Sequence, residues 1–487
     1  MSDETPYVTA PDVLASEPPA PGPRWGRRVA VGGAALAVVV LAAGGYAAYG
    51  ALSGGGTQPD TLVPANAVGI VELDLNPPAG QKLNAMRLLH RLPKDTVHVG
   101  ADNYRDALLQ TIFAKANGID YATDVDPWLG DRAAAAVLPP VAGGDSPTTE
   151  VVLQVKDVAK FKAAAPKLFS ASGDGWVIRD GYVVISQDTD TATRLADSAA
   201  KADLADSSDY SLDTSGLGER IMTGWYDLSR AATLLPAATR ASVGDAVHGR
   251  ATFADRVEPD ALELVANETG VTSGAAARVA LLPKLPGGTV AALELTGGGQ
   301  RVAQEWKQVL ASMSSSGVDA SQLTQTYKRQ FGLDLPGDLT TLLGSDAVGA
   351  VVVPTDAKTP VFGYVSVTDP TKARALATRL GRLLARFGAP APTVTSDGLA
   401  WGTSPAWAKE ATSGDLGSEA LVKQALPDLG TASAAVYVNV AGLSALSDDS
   451  SSLAGTSSVA DAGVAAVGLT STSDGSTAHL RVRVIFK

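Results

Sequence analysis

The chain has 487 residues, with 51 acidic and 39 basic side chains, a formal net charge of −12 and no cysteine. The absence of cysteine excludes disulfides, thiol nucleophiles and cysteine-ligated metals, and the acidic surface disfavours binding to nucleic acid and other polyanions. The length allows two domains of roughly 200 residues, each with its own hydrophobic core.

The first 28 residues are rich in proline, serine and acidic side chains, which predicts a disordered cytoplasmic tail at 1–28. The uncharged run of Ala, Val, Leu and Gly that follows is long enough for a helix of about 20 residues to cross a bilayer, so we predict a transmembrane helix at 29–52. Three arginines directly before this run place the amino terminus in the cytoplasm by the positive-inside rule. A cleaved signal peptide is the alternative, but the run is longer than a signal core and lacks a clear cleavage site. Residues 53–60 then form a flexible tether, and the rest of the chain lies outside the cell.

The remaining chain contains two similar passages. The segment 157–168 returns without a gap as 369–380, at a separation of about 212 residues, which is the size of a domain and not of a solenoid repeat. Other matches follow in the same order along the chain. We therefore predict two tandem homologous units, the first at 61–284 and the second at 285–487.

Each unit has the same predicted elements in chain order. The order is a first strand, two helices, a strand pair, a helix with an aspartate at its amino terminus, a hairpin with an Asp-Gly turn, a helix, and a closing run of strands. In the first unit these features fall at Val71-Glu72-Leu73, Ala133 to Leu138, Asp157, Asp180-Gly181, Trp225 to Leu228 and 249–282. In the second unit they fall at Leu293-Glu294-Leu295, Ala347 to Val353, Asp369 with Pro370, Asp397-Gly398, Tyr437 to Val440 and 464–486.

This order is typical of an α+β fold, and we expect each unit to be a largely antiparallel sheet with helices on one face. Periodicity leaves open whether the two sheets are separate or continuous.

The chain contains little that indicates chemistry. Its four histidines have no pair at metal-site spacing, and Ser198-Ala199-Ala200-Lys201 matches an SxxK pattern without the companion motifs of penicillin-recognising enzymes. No P-loop, G-x-S-x-G or G-x-G-x-x-G motif is present. The sequence therefore predicts no catalytic residues, no cofactor-binding residues, no metal ligands and no cofactor.

One carboxylate group, Asp120, Asp124 and Asp126, is a candidate polar site. Two of its members recur in the second unit as Asp334 and Asp338, and their spacing is not that of a calcium-binding EF-hand loop. We interpret Asp124 and Asp338 as caps of short helices that end at Gly130 and Gly344.

The recurring pair Glu72 and Glu294 lies in the first strands. We interpret both as solvent-facing strand positions, which become worth testing if that face is covered.

Three features of the chain occur together: the strand around Val71-Glu72-Leu73, the passage from Gly118-Ile119-Asp120 to Trp128-Leu129-Gly130, and the helix after Asp157. Behind one amino-terminal anchor, they resemble a family of actinobacterial membrane-anchored proteins catalogued as a domain of unknown function. The resemblance covers nearly all of the body outside the membrane. It implies location and architecture, and no active site.

The sequence thus predicts a single-pass protein of the cell membrane that contacts the lipid bilayer through residues 29–52 and does not bind nucleic acid. The first expectation for its function is a non-catalytic envelope interaction or scaffold protein, which needs an exposed apolar patch. The second is a carrier or sensor of a small or lipid-like ligand, with a pocket in or between the units. A wall hydrolase ranks last.

Overall fold

The computed structural model describes residues 58–91, 105, 109, 119–141, 144, 146–169, 172–235, 240, 248–270, 277–315, 320–354, 359–444 and 463–487. The predicted tail, the predicted span at 29–52 and most of the predicted tether lie outside these residues. Within the described ranges, no helix combines the length and the apolar composition needed to cross a membrane.

The described part of the chain is built on one antiparallel sheet of 16 strands. The strands are β1 (Gly69–Asp74), β2 (Leu129–Leu138), β3 (Thr148–Val155), β4 (Gly175–Arg179), β5 (Tyr182–Ser186), β6 (Met222–Asp227), β7 (Arg250–Val257), β8 (Ala261–Thr269), β9 (Thr289–Thr296), β10 (Asp346–Val352), β11 (Val361–Val367), β12 (Thr393–Val394), β13 (Gly398–Gly402), β14 (Ala434–Asn439), β15 (Val464–Ser473) and β16 (Thr477–Phe486).

Helices connect many of these strands. They are α1 (Ala79–Arg91), α2 (Val158–Phe169), α3 (Thr189–Ala199), α4 (Ser208–Ser215), α5 (Leu228–Thr233), α6 (Gly298–Ser315), α7 (Ala320–Phe331), α8 (Gly337–Leu343), α9 (Pro370–Ala385), α10 (Pro405–Glu410), α11 (Ala420–Ala425) and α12 (Val440–Ser444). Short 3₁₀ turns at Pro59–Leu62, Leu282–Lys284 and Leu416–Ser418 and a π-helical turn at Tyr121–Val125 complete the regular structure.

The strand order is the same in the two halves of the sheet. In the first half it runs β8-β7-β6-β1-β2-β3-β5-β4, and in the second half it runs β16-β15-β14-β9-β10-β11-β13-β12. Each strand of the first half thus has a counterpart eight strands later in the chain. The halves meet where β8 pairs with β16, from Thr269 opposite Thr477 to Ala261 opposite Ile485. The sheet is therefore continuous, which answers the question that periodicity left open.

A buried carboxylate holds this junction between the halves. Glu263 of β8 is 3% exposed and forms ion pairs with three arginines of the neighbouring strands: Arg256 at 3.1 Å, Arg481 at 3.4 Å and Arg483 at 3.5 Å. A buried charge needs such partners because its desolvation is costly.

Helices cover both faces of the first half, so the expectation of helices on one face is wrong. We call the face that carries Ile70 and Val184 the first face, and the face that carries Leu73 and Leu293 the second face. Helix α3 packs on the first face, whereas α1 and α2 pack on the second. The physical reason is visible in β5, where all five residues are buried, as in a strand that has apolar neighbours on both sides.

Several local predictions are confirmed. The Asp369 carboxylate accepts hydrogen bonds from two backbone N–H groups at the start of α9, with Pro370 at the first helical position. The turn between β4 and β5 has Asp180 at a φ of 47° and Gly181 at 81°, which are the left-handed conformations that an Asp-Gly hairpin turn requires.

Candidate functional site

A cleft of about 490 Å³ opens on the first half of the sheet. Its walls come from the 3₁₀ turn at Pro59–Leu62, the carboxyl end of β1, helix α4 and the segment that leads into β6. Seven charged or phenolic side chains define its chemistry: Asp60, Glu72, Asp74, Arg132, Tyr210, Glu219 and Arg220.

Glu72 forms the centre of the cleft. Its Oε2 accepts a hydrogen bond from the Tyr210 hydroxyl at 2.8 Å, and the backbone N–H of Asp60 also bonds to its carboxylate. Burial, together with the negative charge of Asp60, raises the pKa of Glu72 to about 7. Glu72 therefore retains a proton at pH values where an ordinary glutamate is ionised.

Asp60 stands beside Glu72 on the other side of the same hydroxyl. Burial raises the pKa of Asp60 above its usual range, and its Oδ1 is buried without a hydrogen-bond partner. Burial and the two adjacent carboxylates raise the pKa of Tyr210 far above its usual range, so this residue stays a phenol with a single hydrogen to donate. One phenolic hydrogen cannot satisfy two ionised carboxylates, so the pair favours retention of one further proton.

Two arginines lie in the wall of the same cleft. Arg220 donates from Nε to the Thr223 hydroxyl at 2.5 Å and from Nη1 to the Gly218 carbonyl at 2.8 Å. Arg132 donates from both terminal nitrogens to the side-chain oxygen of Gln58, at 3.2 and 3.3 Å, when that amide is oriented to accept. The cleft therefore presents carboxyl groups and guanidinium groups together.

The counterpart of Glu72 in the second half, Glu294, has different hydrogen-bond partners. Glu294 is fully buried and accepts backbone hydrogen bonds from Ala280 at 2.7 Å, Leu281 at 2.8 Å and Leu282. The chain before β9 thus closes over this carboxylate. The expectation that both glutamates face solvent is wrong, because the segment before each first strand folds back over the strand and uses the carboxylate as a hydrogen-bond acceptor.

Four polar residues of the cleft have apolar counterparts in the second half. Equal spacing from the paired strands matches four residues, Asp60, Tyr210, Arg220 and Thr223, with Leu282, Val422, Ala432 and Ala435. All four counterparts are buried. Because the second half keeps the fold with apolar residues at these four positions, the fold itself does not require polar residues there. The second half does keep one further carboxyl group, that of Asp346, hydrogen-bonded to Glu294. That surplus of polar groups makes the cleft the candidate binding site.

The sequence analysis missed this site because its residues are far apart in the chain and match no motif. A signal was present, however: a position-by-position comparison of the two halves finds polar residues where the other half is apolar. Asp60 and Leu282 illustrate it, at equal distances before Glu72 and Glu294.

The carboxylate group singled out from the sequence lies elsewhere and contacts protein groups. Asp120, not Asp124, caps the π-helical turn, by accepting from the Thr123 N–H at 2.9 Å. Asp124 accepts from the Asp120 N–H at 2.8 Å and pairs with Lys167 of α2. Asp126 pairs with Arg105 and, at 3.4 Å, with Lys156.

The same arrangement recurs at Asp338, which is not a helix cap either. Its carboxylate accepts from the Asp334 N–H at 2.7 Å and pairs with Arg379 of α9. Helix α8 does end at Gly344, as predicted, where φ is 55°. In both halves the recurring aspartate fastens a turn to the helix that follows the next two strands.

The SxxK residues do not approach the cleft lining. Ser198 and Lys201 are both exposed, at the end of α3 and just beyond it. Among the histidines with described side chains, His479 lies at the junction of the halves, with Nδ1 2.7 Å from the Asn267 side-chain oxygen.

Comparison with known proteins finds a family model that matches part of the chain. Residues 30–211 match the model of a family described as a protein of unknown function, DUF3352. This stretch therefore carries a domain of unknown function. It contains Asp60, Glu72 and Tyr210, and it ends well short of the extent that the sequence resemblance suggested.

No curated protein matches the chain. A solved structure of TP0453, in its crystal form III, aligns with 45% of this chain and 82% of its own, at 7% identity and a TM-score of 0.24. A similarity at that TM-score carries no argument about the fold or the function.

Proposed function

We propose that this is a membrane-anchored binding protein of the cell envelope, with its ligand site in the cleft of the first half. The anchor at 29–52, the cytoplasmic tail at 1–28 and the extracytoplasmic body belong to this proposal. They are supported by the apolar run and the arginines before it, and the composition rich in Ala, Gly and Asp supports an actinobacterial origin.

We also propose that the body is a tandem duplication, with units at 61–284 and 285–487. The gapless match of 157–168 with 369–380 supports this, as does the identical strand order of the two halves. Under this proposal the second unit keeps the fold and the first unit carries the cleft.

The main observation in support of a binding function is that Asp60, Tyr210 and Arg220 lie around Glu72, whereas the second half has apolar residues at the equivalent positions. Tyr210 is buried and Asp60 and Arg220 are half-buried, and polar groups that pair imperfectly in such places reduce stability unless a ligand completes their hydrogen bonds. We propose binding and not catalysis through a covalent intermediate, because the described cleft lining holds no serine, lysine or cysteine beside a base.

Native mass spectrometry of the full-length protein, purified in detergent from its own host, tests this function. A discrete mass that is present before denaturation and lost after it supports the proposal. The double substitution Asp60→Leu with Tyr210→Val gives the cleft the residues of the second half, and should abolish that mass. The control Leu212→Ala changes a side chain that is 70% exposed and should retain it. Retention of the same mass by the double variant would contradict the cleft as the site.

A second candidate function, the envelope scaffold, is favoured by an apolar stripe on the second face. Five side chains paired across five neighbouring strands form this stripe: Leu264, Val482, Leu469, Val436 and Leu293. Leu264 is 36% exposed and Leu293 is 47% exposed. Strands about 4.8 Å apart make the stripe about 19 Å long, which matches an amphipathic helix of about 13 residues from a partner protein.

Crosslinking in intact cells tests the scaffold. The substitution Leu293→Asp places a charge at one end of the proposed contact, on its most exposed side chain, and should remove a specific crosslinked partner. The control Phe387→Asp alters a side chain that is 77% exposed, on the loop after α9, and should leave the crosslink in place. Equal crosslinking of both variants would rule out the stripe as the contact.

A further inference from the structure

The chemistry of the cleft also identifies a class of ligand, provided that the cleft is the binding site as proposed above. We infer that it binds a small zwitterion, with the ammonium group at Asp60 and Glu72 and the carboxylate at Arg220.

The ammonium end follows from the hydrogen bonds that are missing. The Asp60 Oδ1 is buried and has no donor, while the single Tyr210 hydrogen is used by Glu72. An ammonium group carries three donors and a positive charge. It would therefore satisfy both carboxylates at once and replace the proton that the empty pair retains.

The carboxylate end follows from the position of Arg220. Glu72 and Thr223 are direct partners across β1 and β6, and the guanidinium of Arg220 is held by Thr223 and by the Gly218 carbonyl. Those two bonds use Nε and Nη1, so Nη2 has no partner among the described residues. The charge of Arg220 also acts on Glu72, so the two ends of the site lie close together, which fits a compact amino acid and not a long molecule.

The remaining charges favour the same orientation. Four carboxyl groups line the cleft, those of Asp60, Glu72, Asp74 and Glu219, against the guanidinium groups of Arg132 and Arg220. A ligand with only a negative charge would be repelled by this excess of carboxylates. An uncharged polyol would not replace the proton that the Asp60 and Glu72 pair retains. A zwitterion uses both signs of charge.

Binding should then be coupled to proton release. The empty pair holds a proton below about pH 7, because burial and the neighbouring carboxylate raise the pKa of Glu72 to about 7. The ammonium displaces this proton into solvent, so affinity should rise about tenfold from pH 6 to pH 8. Close to one proton should be released per ligand at pH 6, and close to none at pH 8.

Isothermal titration calorimetry on the full-length protein in detergent, in phosphate and in Tris buffers, measures both quantities. The probes are L-alanine and L-alanyl-L-alanine, with N-acetyl-L-alanine lacking the ammonium, L-alanine amide lacking the carboxylate, and glucose as the uncharged polyol. We expect a zwitterion to bind, and removal of either charge to weaken binding at least tenfold.

Two variants separate the ends of the site. Arg220→Ala should weaken binding of L-alanine about tenfold and leave binding of its amide unchanged, whereas Glu72→Gln should abolish the proton release. Arg329→Ala and Glu305→Gln are the controls, since both residues are exposed on helices remote in sequence from the cleft. Circular dichroism shows whether each variant folds.

The inference is overturned if glucose binds better than both zwitterions, or if none of the probes binds. Loss of the native ligand in the Asp60→Leu, Tyr210→Val double variant would still support the cleft in that case. A native ligand retained by the double variant would instead remove the proposed site itself.

Discussion

Glu150 is a buried acid whose ionisation should destabilise the protein as pH rises. It lies on β3 opposite Ala136, is 1% exposed, and neither carboxylate oxygen has a hydrogen-bond partner among the described residues. Burial raises its pKa from 4.5 to about 8. The second half has Gly363 at the equivalent position, and the Trp407 ring fills the space that a side chain would occupy.

The sign of the effect follows from proton binding. Between pH 4.5 and pH 8 the folded state holds the Glu150 proton and the unfolded state does not, so stability is full below this window and falls across it. Each pH unit costs about 1.4 kcal/mol, so the free energy of unfolding should drop by about 3 kcal/mol by pH 7 and by about 5 kcal/mol above pH 8.

Glu150→Gln removes this titration while keeping the size of the side chain. In urea unfolding followed by tryptophan fluorescence, the variant should lie within about 1 kcal/mol of the wild type at pH 5 and exceed it by about 3 to 5 kcal/mol at pH 8. The exposed Glu305→Gln should follow the wild type at every pH. A Glu150→Gln protein whose stability falls with pH as steeply as the wild type would refute the reasoning.

Two further predictions concern ion pairs of the fold. Glu263→Gln should lower the free energy of unfolding by about 3 to 5 kcal/mol, because three arginines at the junction lose a buried counter-charge. A loss below about 1 kcal/mol in urea unfolding would show that solvent screens these ion pairs. The equivalent ion pairs Asp338–Arg379 and Asp124–Lys167 allow the effect of burial on stability to be compared. The side chain of Asp338 is 7% exposed. The side chain of Asp124 is 14% exposed, and its partner Lys167 is 54% exposed. In thermal or urea unfolding, we expect Arg379→Ala to lower the free energy of unfolding by about 3 kcal/mol and Lys167→Ala to lower it much less, because solvent screens the exposed pair. Equal losses would contradict the role of burial.

Much of the local structure could be predicted from the sequence because its causes are local. The carboxylate of Asp369 reaches the N–H groups of its own helix, and the φ values of Asp180 and Gly181 follow from the turn they occupy. The β-rich tails of both halves were predicted for the same reason, since period-two alternation reports which side chains share a face.

The candidate site could not be predicted in this way. Glu72 was assigned to solvent because strand alternation shows which face a side chain is on, but not what covers that face. Tyr210 meets it from 138 residues away in the chain. Asp124 and Asp338 were assigned as caps for a similar reason, because their ion pairs with Lys167 and Arg379 join elements 43 and 41 residues apart.

The sequence by itself determined the order of elements, the start of the helix after Asp369, the Asp180-Gly181 turn and the exclusion of thiol chemistry, all of which depend on residue type and short-range spacing. Only the tertiary structure decided that 16 strands form one sheet, that helices cover both faces of its first half, and that one of two equivalent glutamates lies in a polar cleft while the other is sealed by backbone N–H groups. These features depend on which distant segments pack together. Long-range packing depends on which faces of helices and sheets are buried together and on how buried polar groups pair. Neither can be predicted from a single stretch of the chain.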